Sequence, residues 1–352
     1  MITSVSLIEA FSGMGTLTRA LSDGLETALP VNIAACVEID GRYLAHWSKA
    51  HRGASTFLGS FGAYHPAEVS VPQTGCRVFV AGIPCTGTSL AGRAKNRLSA
   101  PEEHSDVGYL FIPTAHYIRT HRPDVVVFEN VPLYAKTASA DALRGMLAAS
   151  GYVLSEYQVD AFEQFETPTQ RKRWVGIASR HGRFVWDFKP SRFQGTLAQF
   201  LDAPSARDEA DSATPRQVEA DSSYLNRKQA AGCGFAMRII DHDSTKCPTI
   251  CASYGKRQPS ATFVKTAVSY RMLRPREVAR IHGFPDSMAL PASATTSYEV
   301  LGQGVCYRPF RELGISLGKW ISNGMNSNQS ATEETFPPQG QLDLFTDLIS
   351  AA

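Results

Sequence analysis

Apolar runs alternate with helical spacing through the first 180 residues, and this alternation constrains the fold more than any other feature. Val5 to Phe11 reads as a buried strand and Ser12-Gly13-Met14-Gly15 as a turn. Thr16 to Ala28 then has helical spacing, with Leu17, Leu21 and Leu25 on one face. A second strand, Val31 to Val37, ends in Glu38-Ile39-Asp40 and leads into a helix from Arg42 to His51. The run Val78 to Ile83 stops at Pro84-Cys85, and a helix is predicted near Gly108 to Thr120. The run Val125 to Phe128 stops at Glu129-Asn130-Val131. A helix near Ala140 to Ser150 and strands at Tyr152 to Val159 and Trp174 to Ala178 close the series. Such regularity predicts an α/β fold: a doubly wound, mostly parallel sheet covered on both faces.

After Arg180 the rhythm is lost. Residues 181–270 are irregular, with short alternating pieces such as Thr262 to Val268, and predict a smaller, loop-rich domain. Helical sequence returns at Arg274 to His282 and at Pro309 to Ile321, and beyond Asn323 a polar, disordered tail is expected. The expected division is therefore 1–180, 181–270, a return segment 271–323, and a tail 324–352. A chain of 352 residues, 43% of them hydrophobic, has enough apolar material for one large and one smaller domain. The net charge is only +2, so any surface meant for nucleic acid must be local. The seven cysteines include no C-x-x-C pair, and Cys247 and Cys251 have no matching second pair, so a metal site is not expected. The odd cysteine count, the lack of a secretory leader and the lack of a membrane-length apolar stretch predict a soluble cytoplasmic protein.

Two strand ends carry the chemistry. Cys85 and Glu129 close neighbouring apolar runs, so they can meet at the carboxyl edge of one sheet, where open α/β folds bind ligands. A soft nucleophile beside a proton donor can attack an electron-poor ring. Most cysteines are simply buried. Here the strand-end position and the polar loop that follows, with Ser89, Arg93, Lys95 and Arg97, point to a reactive thiol or a phosphate grip. The turn Phe11 to Gly15 lets the backbone approach a ligand at a helix N-terminus, and Glu38 is placed for ribose hydroxyls. That combination serves any adenosine-containing cofactor. Thr18 stands where the dinucleotide fingerprint has its third glycine, which favours a single nucleoside over NAD.

In order along the chain, these motifs resemble the cytosine-C5 DNA methyltransferase family of bacterial or phage type. Phe11-Ser12-Gly13-Met14-Gly15 resembles its cofactor loop, Pro84-Cys85 its nucleophile motif, and Glu129-Asn130-Val131 its acid motif. Arg171 and Arg173 match its arginine pair. Arg271-x-Leu273-x-Pro275-Arg276-Glu277, leading to His282-Gly283-Phe284-Pro285, resembles its late helix motif, and Gly302-Gln303-Gly304-Val305 its final motif. The resemblance implies a Rossmann-like methyltransferase fold and S-adenosylmethionine held by Phe11 to Gly15, Glu38, Ile39, Ser60, Phe61, Pro84, Gln303 and Val305. It implies a cytosine flipped out of duplex DNA, attacked at carbon 6 by Cys85 and protonated at nitrogen 3 by Glu129, with Arg173 on the base oxygen and Arg171 beside it. Residues 181–270 become a target-recognition domain, whose segment Cys247 to Lys256 is similar to one in bacterial members. Lys256 and Arg257 would there meet phosphate, as Ser89, Arg93, Lys95 and Arg97 would in the loop.

Three positions depart from the family: Thr169 replaces a glutamine, Gln303 an asparagine, and Ser60 the aspartate that normally meets the adenine amine. In the tail, Gln341-Leu342-Asp343-Leu344-Phe345 is similar to a bacterial sliding-clamp docking motif. The expected enzyme is a monomer associated with the nucleoid, with a restriction-modification role. A tRNA-directed methyltransferase, a DNA-binding regulator with weak catalysis and a nicotinamide enzyme are the alternatives.

Overall fold

The structure, a computed structural model, describes residues 2–61, 75–84, 99–232 and 236–325. Seven strands form the main sheet: β1 (Val5–Ala10), β2 (Val31–Glu38), β3 (Ser55–Leu58), β4 (Cys76–Gly82), β5 (Val125–Asn130), β6 (Val153–Asp160) and β7 (Lys172–Ser179). Their spatial order is β3-β2-β1-β4-β5-β7-β6. The first five are parallel to one another, whereas β7 runs antiparallel to both β5 and β6. The mostly parallel sheet expected from the alternation is present, with an antiparallel edge. That edge has a physical reason. A parallel crossover needs a dozen or more residues and usually a full helix, but the link 161–171 contains only the helical turn Ala161–Gln164.

Alternation along each strand sends side chains to two cores. On one face Val5, Leu7, Val78, Val80, Val125, Val127, Val175 and Ile177 pack under α1 (Thr16–Leu25) and the last described helix, Tyr307–Ser322. On the other, Ile8, Ala10, Phe79, Ala81, Val126 and Phe128 meet the helices Phe111–His121 and Ala138–Ala149. In chain order α2 is Gly41–Ala50, α3 is Phe111–His121 and α4 is Ala138–Ala149. Next come α5 (Pro215–Ala230), α6 (Pro275–Ile281), α7 (Ala294–Gln303) and α8 (Tyr307–Ser322).

Between β7 and α6 lies a three-stranded sheet, β8 (Arg238–Ile240), β9 (Thr262–Lys265) and β10 (Tyr270–Met272), in the order β10-β9-β8. Its apolar side is not a core of its own. Ile240, Val264, Cys247, Ile250 and Tyr254 share one cluster with Val278, Ile281, Tyr298 and Leu301 of the following helices, and with Met14 and Tyr43. The boundary expected at 270 therefore falls inside a strand pair, since Tyr270 is bonded to Lys265. The region also holds more regular structure than its composition predicted, above all the sixteen-residue α5.

Candidate active site

The carboxyl ends of β1, β2, β4 and β5 open on one edge, and the expected residues that the structure describes can be placed against it. After β1, Phe11, Gly13 and Gly15 all have positive φ, at 59°, 55° and 84°. The chain thus curls back on itself, and Gly15 N–H donates to Ser12 O at 2.8 Å. Gly15 has no substitute here, because a Cβ would run into the Trp47 indole as well as adopting a left-handed backbone. Gly13 is different. A Cβ there would meet nothing within 4 Å, so the turn presents bare backbone to open space. Glu38, at the end of β2, accepts from Gly13 N at 2.7 Å and from Asp40 N at 2.9 Å, which aims its carboxylate across the mouth of the turn. Ile39, next to it, is 70% exposed, an apolar ledge suited to a flat ring.

Other expected cofactor residues divide by environment. Ser12 Oγ lies 2.9 Å from Cys36 Sγ, and Met14 is buried in the cluster beneath the target region. Phe61 is buried and meets Phe11 edge-on, ring centroids 5.1 Å apart. Ser60 Oγ is 3.4 Å from the hydroxyl of Tyr109. Val305 is buried, its N–H 3.4 Å from Thr16 Oγ1, whereas Gln303 at the end of α7 is exposed.

Glu129 and Arg173 form the ionic centre. Alternation puts Glu129 on the same face as Val125 and Val127, and Arg173 on the face of Val175 and Ile177. The two side chains therefore converge: Arg173 Nε stands 2.6 Å from Glu129 Oε1, each side chain only 12% exposed. In the β4–β5 pairing Gly82 lies opposite Glu129. Burial pushes the Glu129 carboxyl above its ordinary pKa, and the charges of Arg173 and Arg171 oppose the rise. A proton is thereby held more firmly than on an exposed glutamate, as a general acid requires.

Cys85 lies outside the described residues, and with it Ser89, Arg93, Lys95 and Arg97. The strand leading to it is well fixed. Asn130 Nδ2 donates to Ile83 O at 3.1 Å while Asn130 Oδ1 accepts from Val131 N at 2.8 Å, tying the approach to Pro84 onto the end of β5. Sequence reasoning quoted Asn130 only within the acid motif and gave it no role; its signal was an amide directly after the acid, at a strand end.

Arg171 does something other than its neighbour. It is buried, and it donates to Gly304 O at 3.0 Å from Nε, to Gly302 O at 2.7 Å from Nη2 and to Ile250 O at 3.3 Å from Nη1. Its whole guanidinium fork is spent on backbone carbonyls, so it clamps the final motif and the segment around Ile250 to the start of β7. Of the two basic residues expected at phosphate in the target region, Lys256 is exposed. Arg257 instead pairs with Asp221 of α5, at 2.8 and 3.3 Å, and lies over the Phe263 ring. That internal bridge competes with a phosphate contact. Thr169 is fully buried and its hydroxyl is 3.4 Å from Pro248 O.

The sequence model of C-5 cytosine-specific DNA methylases matches residues 5–319. The chain belongs to that family. Type II methyltransferase M.DsaV of Dactylococcopsis salina is 27% identical over 254 residues, 69% of each chain. M.NlaX of Neisseria lactamica is 24% identical over 320 residues, 90% of this chain and 97% of its own. Among solved structures, the Entamoeba histolytica methyltransferase EhMeth has a TM-score of 0.69 at 16% identity, covering 91% of this chain and 99% of that one. S. pombe Dnmt2 also reaches 0.69, at 17% identity, over 90% of this chain and 99% of its own. This methylase is thus a cytosine-C5 DNA methyltransferase with the Rossmann-like fold of its structural neighbours, and it uses S-adenosylmethionine. The open backbone at Gly13, the aimed Glu38 carboxylate and the exposed Ile39 fit that cofactor.

Proposed function

We propose that the chain methylates carbon 5 of one cytosine within a specific duplex sequence, with Cys85 as the nucleophile. The observation that carries this reading is the largely buried Glu129–Arg173 pair, 2.6 Å apart, with Glu129 on the strand beside the one that runs to Pro84. Glu129 would hydrogen-bond and protonate ring nitrogen 3 as the Cys85 thiolate adds to carbon 6, which makes carbon 5 nucleophilic. The bound cofactor supplies an electrophilic methyl group, held by the turn from Phe11 to Gly15, by Glu38 and by Ile39. Water then takes the carbon 5 proton, the electron pair left behind expels the Cys85 thiolate from carbon 6, and nitrogen 3 returns its proton to Glu129, which restores the ring. Arg173 orients the carboxyl and reaches the base oxygen. Arg171 acts through the carbonyls of Ile250, Gly302 and Gly304 as a positioning residue.

The region from 181 to 270 is proposed to read the target bases, with Lys256 at phosphate, and Ser89, Arg93, Lys95 and Arg97 to meet the DNA beside Cys85. The similar Type II methyltransferases support a restriction-modification role. Among the described residues no helix is long and apolar enough to cross a membrane. A monomer working on nucleoid DNA is the form we infer. The tail segment Gln341 to Phe345, outside the described residues, is proposed to dock on the bacterial sliding clamp through Gln341, Leu344 and Phe345.

Duplex DNA carrying 5-fluorocytosine, offered with S-adenosylmethionine, tests the mechanism. The unaltered protein is expected to form a denaturation-resistant adduct that Cys85→Ala abolishes. Glu129→Gln is expected to slow methyl transfer to ordinary duplex by about 10²–10⁴-fold, the usual worth of a positioned acid, while S-adenosylhomocysteine still binds. Cofactor binding without any adduct would overturn the covalent route. Transfer to tRNA but not to duplex DNA would overturn the substrate assignment.

A further inference from the structure

The order of the strands fixes the direction in which the cofactor groove runs. Crossing the sheet edge from β1 through β2 to β3, one meets the turn from Phe11 to Gly15, then Glu38, then Ser60. Gly13 N bonds one side of Glu38, while Gly59 N donates to the backbone oxygen of Glu38 at 3.0 Å on the other. Two strand spacings separate the ends, about 10 Å. If the turn holds the methionine part and Glu38 the ribose, the base must lie toward β3, over Ile39 and Leu58, which are 70% and 58% exposed. An apolar ledge of this kind suits a purine face. At the position where the family carries a carboxylate this chain has Ser60, which is short and neutral.

A second hydroxyl occupies the same place. Tyr109, just ahead of α3, brings its phenol to 3.4 Å from Ser60 Oγ, and the residue is 42% exposed. Its neighbour Leu110 is buried and anchors the segment. An exocyclic amine carries two hydrogens, and each hydroxyl oxygen has lone pairs to accept one. We infer that Tyr109 and Ser60 together grip the adenine amine of the cofactor, replacing one carboxylate with a pair of neutral hydroxyls from two elements. This inference rests on the reading of the edge as the S-adenosylmethionine site.

Calorimetric binding of S-adenosylhomocysteine, and of its analogue lacking the 6-amino group, tests it without any turnover. The unaltered protein should prefer the amino form about 25-fold, because each of the two hydroxyls contributes a net hydrogen bond of ordinary strength, worth about 5-fold. Tyr109→Phe should weaken S-adenosylhomocysteine about 5-fold and leave the deamino analogue unchanged. Ser60→Asp should tighten the amino form selectively. Equal binding of the two ligands by the unaltered protein, or a Tyr109→Phe protein that still distinguishes them as before, would overturn the inference alone. Failure of the unaltered protein to bind S-adenosylhomocysteine would overturn the cofactor reading and the inference with it.

Discussion

Glu9 is fully buried on β1, two residues before Phe11, and its Oε2 accepts from the Trp47 indole at 3.1 Å. Burial pushes its carboxyl up to about 7, against opposing hydrogen bonds from Thr18 and Trp47. The folded protein therefore holds this proton more tightly than the unfolded chain does. The resulting stability is full below the ordinary carboxyl value of 4.5 and is lost as pH rises through about 7. Between pH 5 and pH 8.5, Glu9 should cost about 2–3 kcal/mol of unfolding free energy. Glu9→Gln, of the same shape, should flatten that dependence when urea midpoints are compared at the two pH values. A wild-type slope in Glu9→Gln would show that other groups carry it. At this scale the site was partly legible. Cys85 and Glu129 stood out because each ends an apolar run, and strand ends are where such sheets do chemistry. Periodicity alone does not separate Arg171 and Arg173, since residues two apart share a face, and only the family resemblance gave Arg173 a role of its own. What separates them are the carbonyls of Gly302 and Gly304, about 130 residues further along the chain.

Elements pack here through what some side chains omit. α1 and α8 cross where Gly24 and Gly314 face each other, and a Cβ on either would strike backbone of the other helix. Gly314→Ala is accordingly expected to destabilise by about 1–3 kcal/mol, the usual range for overpacking. Gly145, on the exposed side of α4, has nothing within 4 Å of the same added atom. Gly145→Ala should stabilise by about 0.5–1 kcal/mol through helix propensity. Chemical denaturation of the two variants, side by side, checks both signs. The elements that escaped the sequence reading share a cause. β3 has four residues and only two apolar side chains, Phe57 and Leu58, too few for a period to show. α5 buries only Asp221 and Leu225, so a search for apolar stripes passes over it. Its start was nevertheless written in Thr214, Pro215 and Gln217, a capping box with proline at the first turn.

Among the described residues, α8 closes the fold over α1. Removing residues 340–352 should therefore leave methylation of short duplexes unchanged, while abolishing pull-down with the bacterial sliding clamp; pull-down that survives would end the docking proposal. The overall α/β plan was readable because its cues are local, each strand followed by its turn and helix. The join between residues 181–270 and the rest was not, because Ile240 and Val264 find their partners in α6 and α7 rather than in their own stretch of chain. A similar separation governs α1. Its apolar face, with Leu17, Leu21 and Leu25, is covered by Phe310, Leu313 and Leu317, and roughly 280 residues must be made between the two helices. At ~5–20 residues per second the ribosome takes on the order of 15–60 s to supply that cover. During that interval the nascent chain carries an exposed apolar stripe beside an unfinished cofactor pocket. Newly made protein is thus expected to be unable to modify DNA until α8 has been made and has covered α1.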